Sequence, residues 1–155
     1  MSLQTLEEFW QAFLHDLPPD LPHPLEMYPV WYFGDSPALA NELGSLVKKG
    51  LKQATSTLLV EMEMEGEAVP EAGQRSLITN FEGVPLCIIE VILVEIKPFN
   101  LVTADFAYAE GEGDRSLESW RAEHHRYFSR RCAVLGLKFS EELPIVCESF
   151  RLLYP

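Results

Sequence analysis

Two apolar runs stand so close in this chain that only a tight connection can join them. Gln74–Thr79 ends in Leu-Ile-Thr, and Leu86 to Ile96 is the longest aliphatic run, interrupted by Glu90 and Glu95. Only Asn80 to Pro85 separates them. A parallel crossover needs a dozen or more residues between its strands. Asn80-Phe81-Glu82-Gly83 instead has the turn chemistry of a hairpin. The centre of the molecule is therefore expected to be antiparallel sheet, and the fold α+β rather than a doubly wound α/β layer.

Helical periodicity flanks this centre. Thr5-x-x-Glu8 is a capping-box pattern, and Leu3, Leu6, Trp10, Phe13, Leu14 and Leu17 keep helical spacing until Pro18-Pro19. Ser36 and Pro37 open a second helix with Leu39, Leu43, Leu46 and Val47 on one stripe, and Gly50 ends it. After Gly50 the period becomes two. Leu58, Val60, Met62 and Met64 alternate with Leu59, Glu61, Glu63 and Glu65, which predicts a half-buried strand with its glutamates in solvent. Leu101 to Ala109 reads as a strand end plus a helical turn. A long helix capped by Asp114 or Ser116 runs to Gly136, and Ile145 to Tyr154 is the last strand. No repeat, low-complexity tract or interdomain linker interrupts the order, so residues 1–155 are expected to form one domain. Residues 1–27 would be its helical and proline-rich extension.

Charge limits the partners. The net charge of −12 argues against a broadly positive surface that grips long nucleic acid non-specifically. The arginines between 115 and 131 and the group Lys48, Lys49, Lys52 leave room for a local basic surface. The longest apolar run carries two glutamates and is too short to span a bilayer, so no membrane partner is expected. No basic, apolar leader opens the chain, which points to the cytoplasm. Cys87, Cys132 and Cys147 lie in separate apolar segments and read as buried free thiols. Neither a paired-cysteine nor a paired-histidine metal spacing is present, and neither metal nor cofactor is expected.

The candidate site begins at Gly50-Leu51-Lys52-Gln53-Ala54-Thr55, where a helix stops and a strand starts. A lysine able to act as a base beside a hydroxyl able to act as a nucleophile or ligand contact is a usable pair. Three residues apart on a regular strand they would face opposite ways, so a turn after Gly50 is required to bring them together. Trp31-Tyr32-Phe33-Gly34-Asp35-Ser36 places aromatic rings and an acid near a turn. Ala109-Glu110-Gly111-Glu112-Gly113-Asp114-Arg115 supplies two acids and a base on a flexible loop.

Taken together, these segments, with Ser116-Leu117-x-x-Trp120, resemble a bacterial subgroup of the ASCH domain family, named for activating signal cointegrator homology and similar to PUA domains. The resemblance covers roughly residues 28 to 155. It implies a small, curled antiparallel or mixed β-barrel flanked by helices around a cleft, and an association with RNA or nucleotide-like ligands. RNA or a small nucleoside or nucleotide is thus the implied partner. Some small bacterial members are amidohydrolases that deacylate N4-acetylcytidine-type nucleosides. Carried over by motif, Lys52, Thr55 and Glu112 would be catalytic, with Glu110 the alternative acid. Tyr32, Phe33, Asp35, Glu110 and Arg115 would line the ligand site. The chain departs from those enzymes at Leu51, where they tend to carry a basic residue, and in its greater length. The implied function is ligand binding in the cleft, with amidohydrolysis as the alternative and a ribonuclease as a third reading.

Overall fold

The computed structural model describes residues 3–155. Among them, helices α1 (Leu6–Asp16), α2 (Pro37–Lys48), α3 (Leu59–Glu65), α4 (Ala104–Glu110) and α5 (Leu117–Val134) surround strands β1 (Val30–Trp31), β2 (Ala54–Leu58), β3 (Arg75–Thr79), β4 (Pro85–Pro98) and β5 (Pro144–Tyr154). The strands form one sheet in the order β1-β3-β4-β5-β2. β3, β4, β5 and β2 pair antiparallel, and β1 joins β3 in parallel, so the sheet is mixed. Register shifts at Ile78/Thr79 and along β4 against β5 mark where the ladder is irregular. The outer strands β1 and β2 do not pair, which leaves the curl open rather than a closed barrel.

Local chemistry sets the helix ends. Thr5, Ser36, Thr103 and Ser116 each accept a backbone N–H of the first turn, at 3.1, 3.2, 3.2 and 3.0 Å. Asn80 closes the β3–β4 hairpin by accepting the Val84 N–H on its side chain at 2.9 Å. Three apolar clusters hold the layers. α4, through Ala107, and α5, through Trp120, Phe128 and Cys132, cover one end of the sheet against Leu58, Phe99 and Ile145. α2 packs Leu43 and Val47 on Ile78, Ile89 and Phe150. α1 seats Phe9, Trp10 and Phe13 on Leu77 and Ile88, so it packs behind the sheet. Cys87, Cys132 and Cys147 are free and buried.

Two local expectations give way. Residues 59–65 form helix α3, not the continuation of a strand. Leu, Glu and Met are all good helix formers, and Leu59 with Met62 and Val60 with Met64 also stand at the i, i+3 and i, i+4 spacings of a helix. Gly66 then stops the helix in the left-handed region at φ 71°. Accordingly Glu61 is not a solvated acid: it is buried and accepts from Arg131 at 2.8 and 2.5 Å. The second is β1, a two-residue strand inside the aromatic stretch that, among the described residues, pairs only with β3. Among the described residues no helix is long and apolar enough to cross a membrane.

Candidate functional site

Lys52 lies in the irregular segment between α2 and β2. Gly50, at φ 78°, turns the chain out of α2, and the N–H groups of Leu51 and Lys52 both return to the Leu46 carbonyl. This turn aims the Lys52 side chain inward, where only 2% of the residue is exposed. Its ammonium donates to the Ala54 carbonyl at 2.7 Å, Glu110 Oε1 at 2.9 Å and Glu112 Oε2 at 2.9 Å. An ammonium has three N–H donors, so all are committed. Burial alone would favour the neutral amine. The two carboxylates outweigh it and hold Lys52 above the ordinary lysine range. Lys52 is therefore a cation here, and the reading of it as a free base does not fit this geometry.

Glu110, the last residue of α4, is the hub. Its second oxygen accepts from Ser56 Oγ at 2.7 Å and Trp120 Nε1 at 2.5 Å, and lies 3.2 Å from His124 Nε2. Burial opposes its charge, yet Lys52 and His124 hold its carboxyl well below the usual range. His124 sits one turn after Trp120, stacks on its indole at 4.2 Å, and bonds the Trp120 carbonyl through Nδ1 at 2.9 Å. That bond fixes Nδ1–H as the donor and turns Nε2 toward Glu110. Against the effect of burial, Glu110 raises the imidazole above its ordinary value. Glu112 is the more accessible acid, its side chain 23% exposed. Burial pushes it up, Lys52 pulls it down, and Glu110 beside it adds to the rise.

Glu110, Glu112 and His124 bring potential ligand atoms within 4.8 Å of one another, the makings of a cation site. The Lys52 ammonium, bonded to both carboxylates, already supplies positive charge there. Gly111 makes the arrangement possible. At φ 74° it caps α4, and a Cβ on it would lie 2.2 Å from the Leu51 carbonyl oxygen. The two segments also share a bond from the Gln53 N–H to the Ala109 carbonyl, at 2.7 Å.

Thr55 belongs to a second group. In the β2–β5 register it stands opposite Glu148, whereas Ser56 stands opposite Cys147. Among the described residues no hydrogen bond joins the Thr55 hydroxyl to Lys52, Glu110 or Glu112; Ser56 is the hydroxyl that reaches the glutamates. Lys52, Glu112 and Thr55 nonetheless border one cavity of about 150 Å³ with His124 and Tyr127. Thr55, Ser56, Phe33, Gly34 and Tyr127 are shared with a larger neighbouring cleft of about 890 Å³ between β1, β2, β3 and the segment after α3. Glu148 lines that cleft, is 9% exposed, and has no hydrogen-bond or ion-pair partner among the described residues. Burial, opposed only by Lys52, pushes its carboxyl up to about 7.

The other expected ligand contacts are placed as follows. Tyr32 is 41% exposed on the cleft wall, edge-on to Phe81 at 5.4 Å. Phe33 is buried, and its ring lies 5.6 Å from Lys52 Nζ, so it serves more as wall than as an open stacking surface. Asp35 is held by Arg130 through bonds of 3.0 and 3.1 Å, which, against some burial, keep its carboxyl below the ordinary range. Arg115 turns away from the cleft. It donates to the Tyr108 carbonyl at 3.0 Å and lies 3.7 Å from the Tyr108 ring centre, ties that support its own left-handed backbone at φ 65°. Much of the arginine run is thereby spent: Arg126 pairs with Glu123, Arg130 with Asp35, Arg131 with Glu61.

Three participants escaped sequence reasoning: Ser56, His124 in this role, and Glu148. Glu148 had a readable signal, being the lone charge in the largely apolar Ile145-Val146-Cys147-Glu148-Ser149-Phe150.

A curled mixed sheet carrying a G-x-K-x-x-T segment into β2, with helices packed around a cleft, defines the PUA-like class. Within it, the sequence model of the ASCH domain matches residues 29–154, and the chain belongs to the ASCH domain family. The crystal structure of an ASCH domain from Lactobacillus crispatus JV V101 is similar at 34% identity and a TM-score of 0.88, over 96% of this chain and 94% of that one. A protein from Enterococcus faecalis V583 is 40% identical with a TM-score of 0.81, over 97% and 93%. A third structure, of a hypothetical protein at 12% identity and a TM-score of 0.53, covering 82% of this chain and all of its own, shares the fold alone. No curated protein matches the chain.

Proposed function

We propose that this ASCH domain binds a small nucleoside-like ligand in the cleft between β1, β2 and β3. The observation that carries this reading is a recess of about 890 Å³ with Trp31, Tyr32 and Tyr127 on its walls and Thr55 and Glu148 among its polar groups. That volume falls in the range of small-molecule sites, and aromatic walls with a few placed polar groups suit a planar base. Long RNA is disfavoured by the same chemistry. The net charge is −12, and the arginines of α5 are largely engaged by carboxylates, leaving little to neutralise a phosphate chain.

Calorimetric titration with free nucleosides and with a homopolymer RNA at low and high salt tests this. Saturable nucleoside binding that barely responds to salt is expected. Tight RNA binding that collapses with salt, without nucleoside binding, would overturn it.

Amidohydrolysis of N4-acylated cytidines is the second reading, favoured by Thr55 standing opposite a carboxyl whose pKa is about 7. A base of that strength is suited to take a hydroxyl proton near neutrality, which the committed Lys52 ammonium is not. Turnover lost in Thr55→Ala and Glu148→Gln would support it, and turnover surviving both would remove it.

A further inference from the structure

We infer that Glu148 reads the ligand's base through both carboxylate oxygens at once, and that the base it selects is guanine, whose ring N–H and neighbouring amino group are adjacent donors. The inference rests on the reading of the cleft as a nucleoside-like site and adds which base it takes.

Glu148 stands opposite Thr55 in the β2–β5 register, is 9% exposed, and lines the large cleft. Neither of its oxygens has a hydrogen-bond partner, whereas every fully buried side-chain nitrogen or oxygen among the described residues has one. Both oxygens therefore keep some open surface, and the cleft is what they open onto. Desolvating a carboxylate without donors is costly, and a ligand that brings donors recovers that cost. Nothing else on the walls offers to do so. Lys52, the cation that acts on Glu148, has its donors committed to Ala54, Glu110 and Glu112. Arg75 on β3 bonds Glu90 and the Tyr28 hydroxyl. Glu67, Tyr28, Tyr32 and Tyr127 are the remaining titratable groups facing the cleft, and none is bonded to Glu148.

An ionised carboxylate only accepts hydrogen bonds. Among the common bases guanine alone carries neighbouring N–H donors on one edge, N1–H and the N2 amino group, which can meet Oε1 and Oε2 in parallel. Adenine and cytosine set a bare ring nitrogen beside the amino group, and uracil flanks its single N–H with carbonyls. Each of those edges brings a lone pair against a carboxylate oxygen. Discrimination of this kind is large because a mismatched edge leaves buried polar groups unpaired. A protonated carboxyl is different. Its one acceptor and one donor match N1–H and O6, which inosine carries as fully as guanosine, and the amide of a glutamine behaves in the same way. The N2 amino group is therefore read by the carboxylate alone, and the ratio of guanosine to inosine affinity reports that reading.

The test is calorimetric titration of guanosine, inosine, adenosine and uridine into wild type and Glu148→Gln at about pH 8, with the wild type repeated at about pH 6. Burial pushes the carboxyl up to about 7, so it is mainly ionised in the first condition and mainly protonated in the second. At about pH 8 wild type is expected to bind guanosine at least about tenfold more tightly than inosine, adenosine or uridine. The preference over inosine should shrink on acidification and vanish in Glu148→Gln. Melting curves verify that the variant is folded; if it is not, the wild-type preference and its loss in acid decide. No preference for guanosine over inosine at about pH 8, or a preference unchanged in folded Glu148→Gln, overturns the role of Glu148 while leaving the cleft as a nucleoside site. With the variant unfolded, a wild-type preference that acid leaves unchanged does the same. Wild type binding none of the nucleosides removes the cleft reading and this inference together.

Discussion

Glu148→Gln without any ligand gives the sharpest test of the cleft's electrostatics. Burial raises the Glu148 carboxyl from 4.5 to about 7 in the folded chain. At about 1.4 kcal/mol for each tenfold change in proton affinity, the rise corresponds to about 3 kcal/mol. That figure is a ceiling, because the oxygens open onto cleft water. The folded state binds the proton more tightly than the unfolded chain, so the contribution is fully present below about pH 4.5. It is lost as pH rises toward about 7. Above that, the native protein carries the whole cost of an unpaired buried carboxylate. Glutamine keeps the shape and removes the charge. Urea unfolding of both proteins across that pH range is expected to give similar stabilities at the acid end. The gap should widen with pH until the variant is more stable by about 2 kcal/mol near pH 8, part of the ceiling being returned by the desolvated amide. A gap that stays constant with pH, or one in which the wild type gains, would refute the assignment of Glu148 as a desolvated, unpartnered acid.

Lys52→Met leaves Glu110 and Glu112 without their cation, and denaturant titration should show a loss of about 3–5 kcal/mol that shrinks as acid protonates the carboxylates; a loss under about 1 kcal/mol would contradict the committed ammonium. Gly111→Ala meets the Leu51 carbonyl as well as a positive φ, whereas Gly136→Ala at φ 75° meets nothing within 4 Å. The first should therefore cost at least about 2 kcal/mol more than the second in thermal unfolding, and equal costs would mean the two segments do not pack so closely. NMR titration should place the His124 midpoint above 6.5, since Glu110 stabilises the imidazolium. Its contribution to stability is complete below 6.5 and fades as pH passes the raised native value; a midpoint below 6.5 would mean that burial prevails.

Where sequence and structure part, the reasons are physical and local. Caps at Thr5, Ser36 and Ser116 and the Asn80 hairpin were legible because each is written within four residues. α3 was not, because Leu59 to Glu65 carries i, i+3 and i, i+4 apolar pairs beside its alternation, and the partner that takes Glu61 inside, Arg131, is distant in sequence. β1 exists only through its pairing with Leu77 and Ile78, which no two-residue window can announce. For the candidate site, motif and resemblance singled out Lys52, Thr55 and the glutamate loop. They could not show that Lys52 and Ser56 turn toward Glu110 while Thr55 faces Glu148. That division depends on where the irregular segment after Gly50 ends and strand alternation begins.

The close approach of Gly111 to Leu51 has a mechanical side. With Gln53 bonded to Ala109, Lys52 to Glu110 and Arg115 to the Leu51 carbonyl at 3.4 Å, two connections distant in sequence are clasped into one body. Neither can swing out alone as a lid without breaking buried ties on the other. Rearrangement around this smaller cavity therefore falls to side-chain rotation, with Glu112, the more accessible of the two acids, the one placed to turn. Release of Glu112 would uncover a single N–H of Lys52, giving the smaller cavity beside the cleft one donor that comes and goes while the backbone around it stays still.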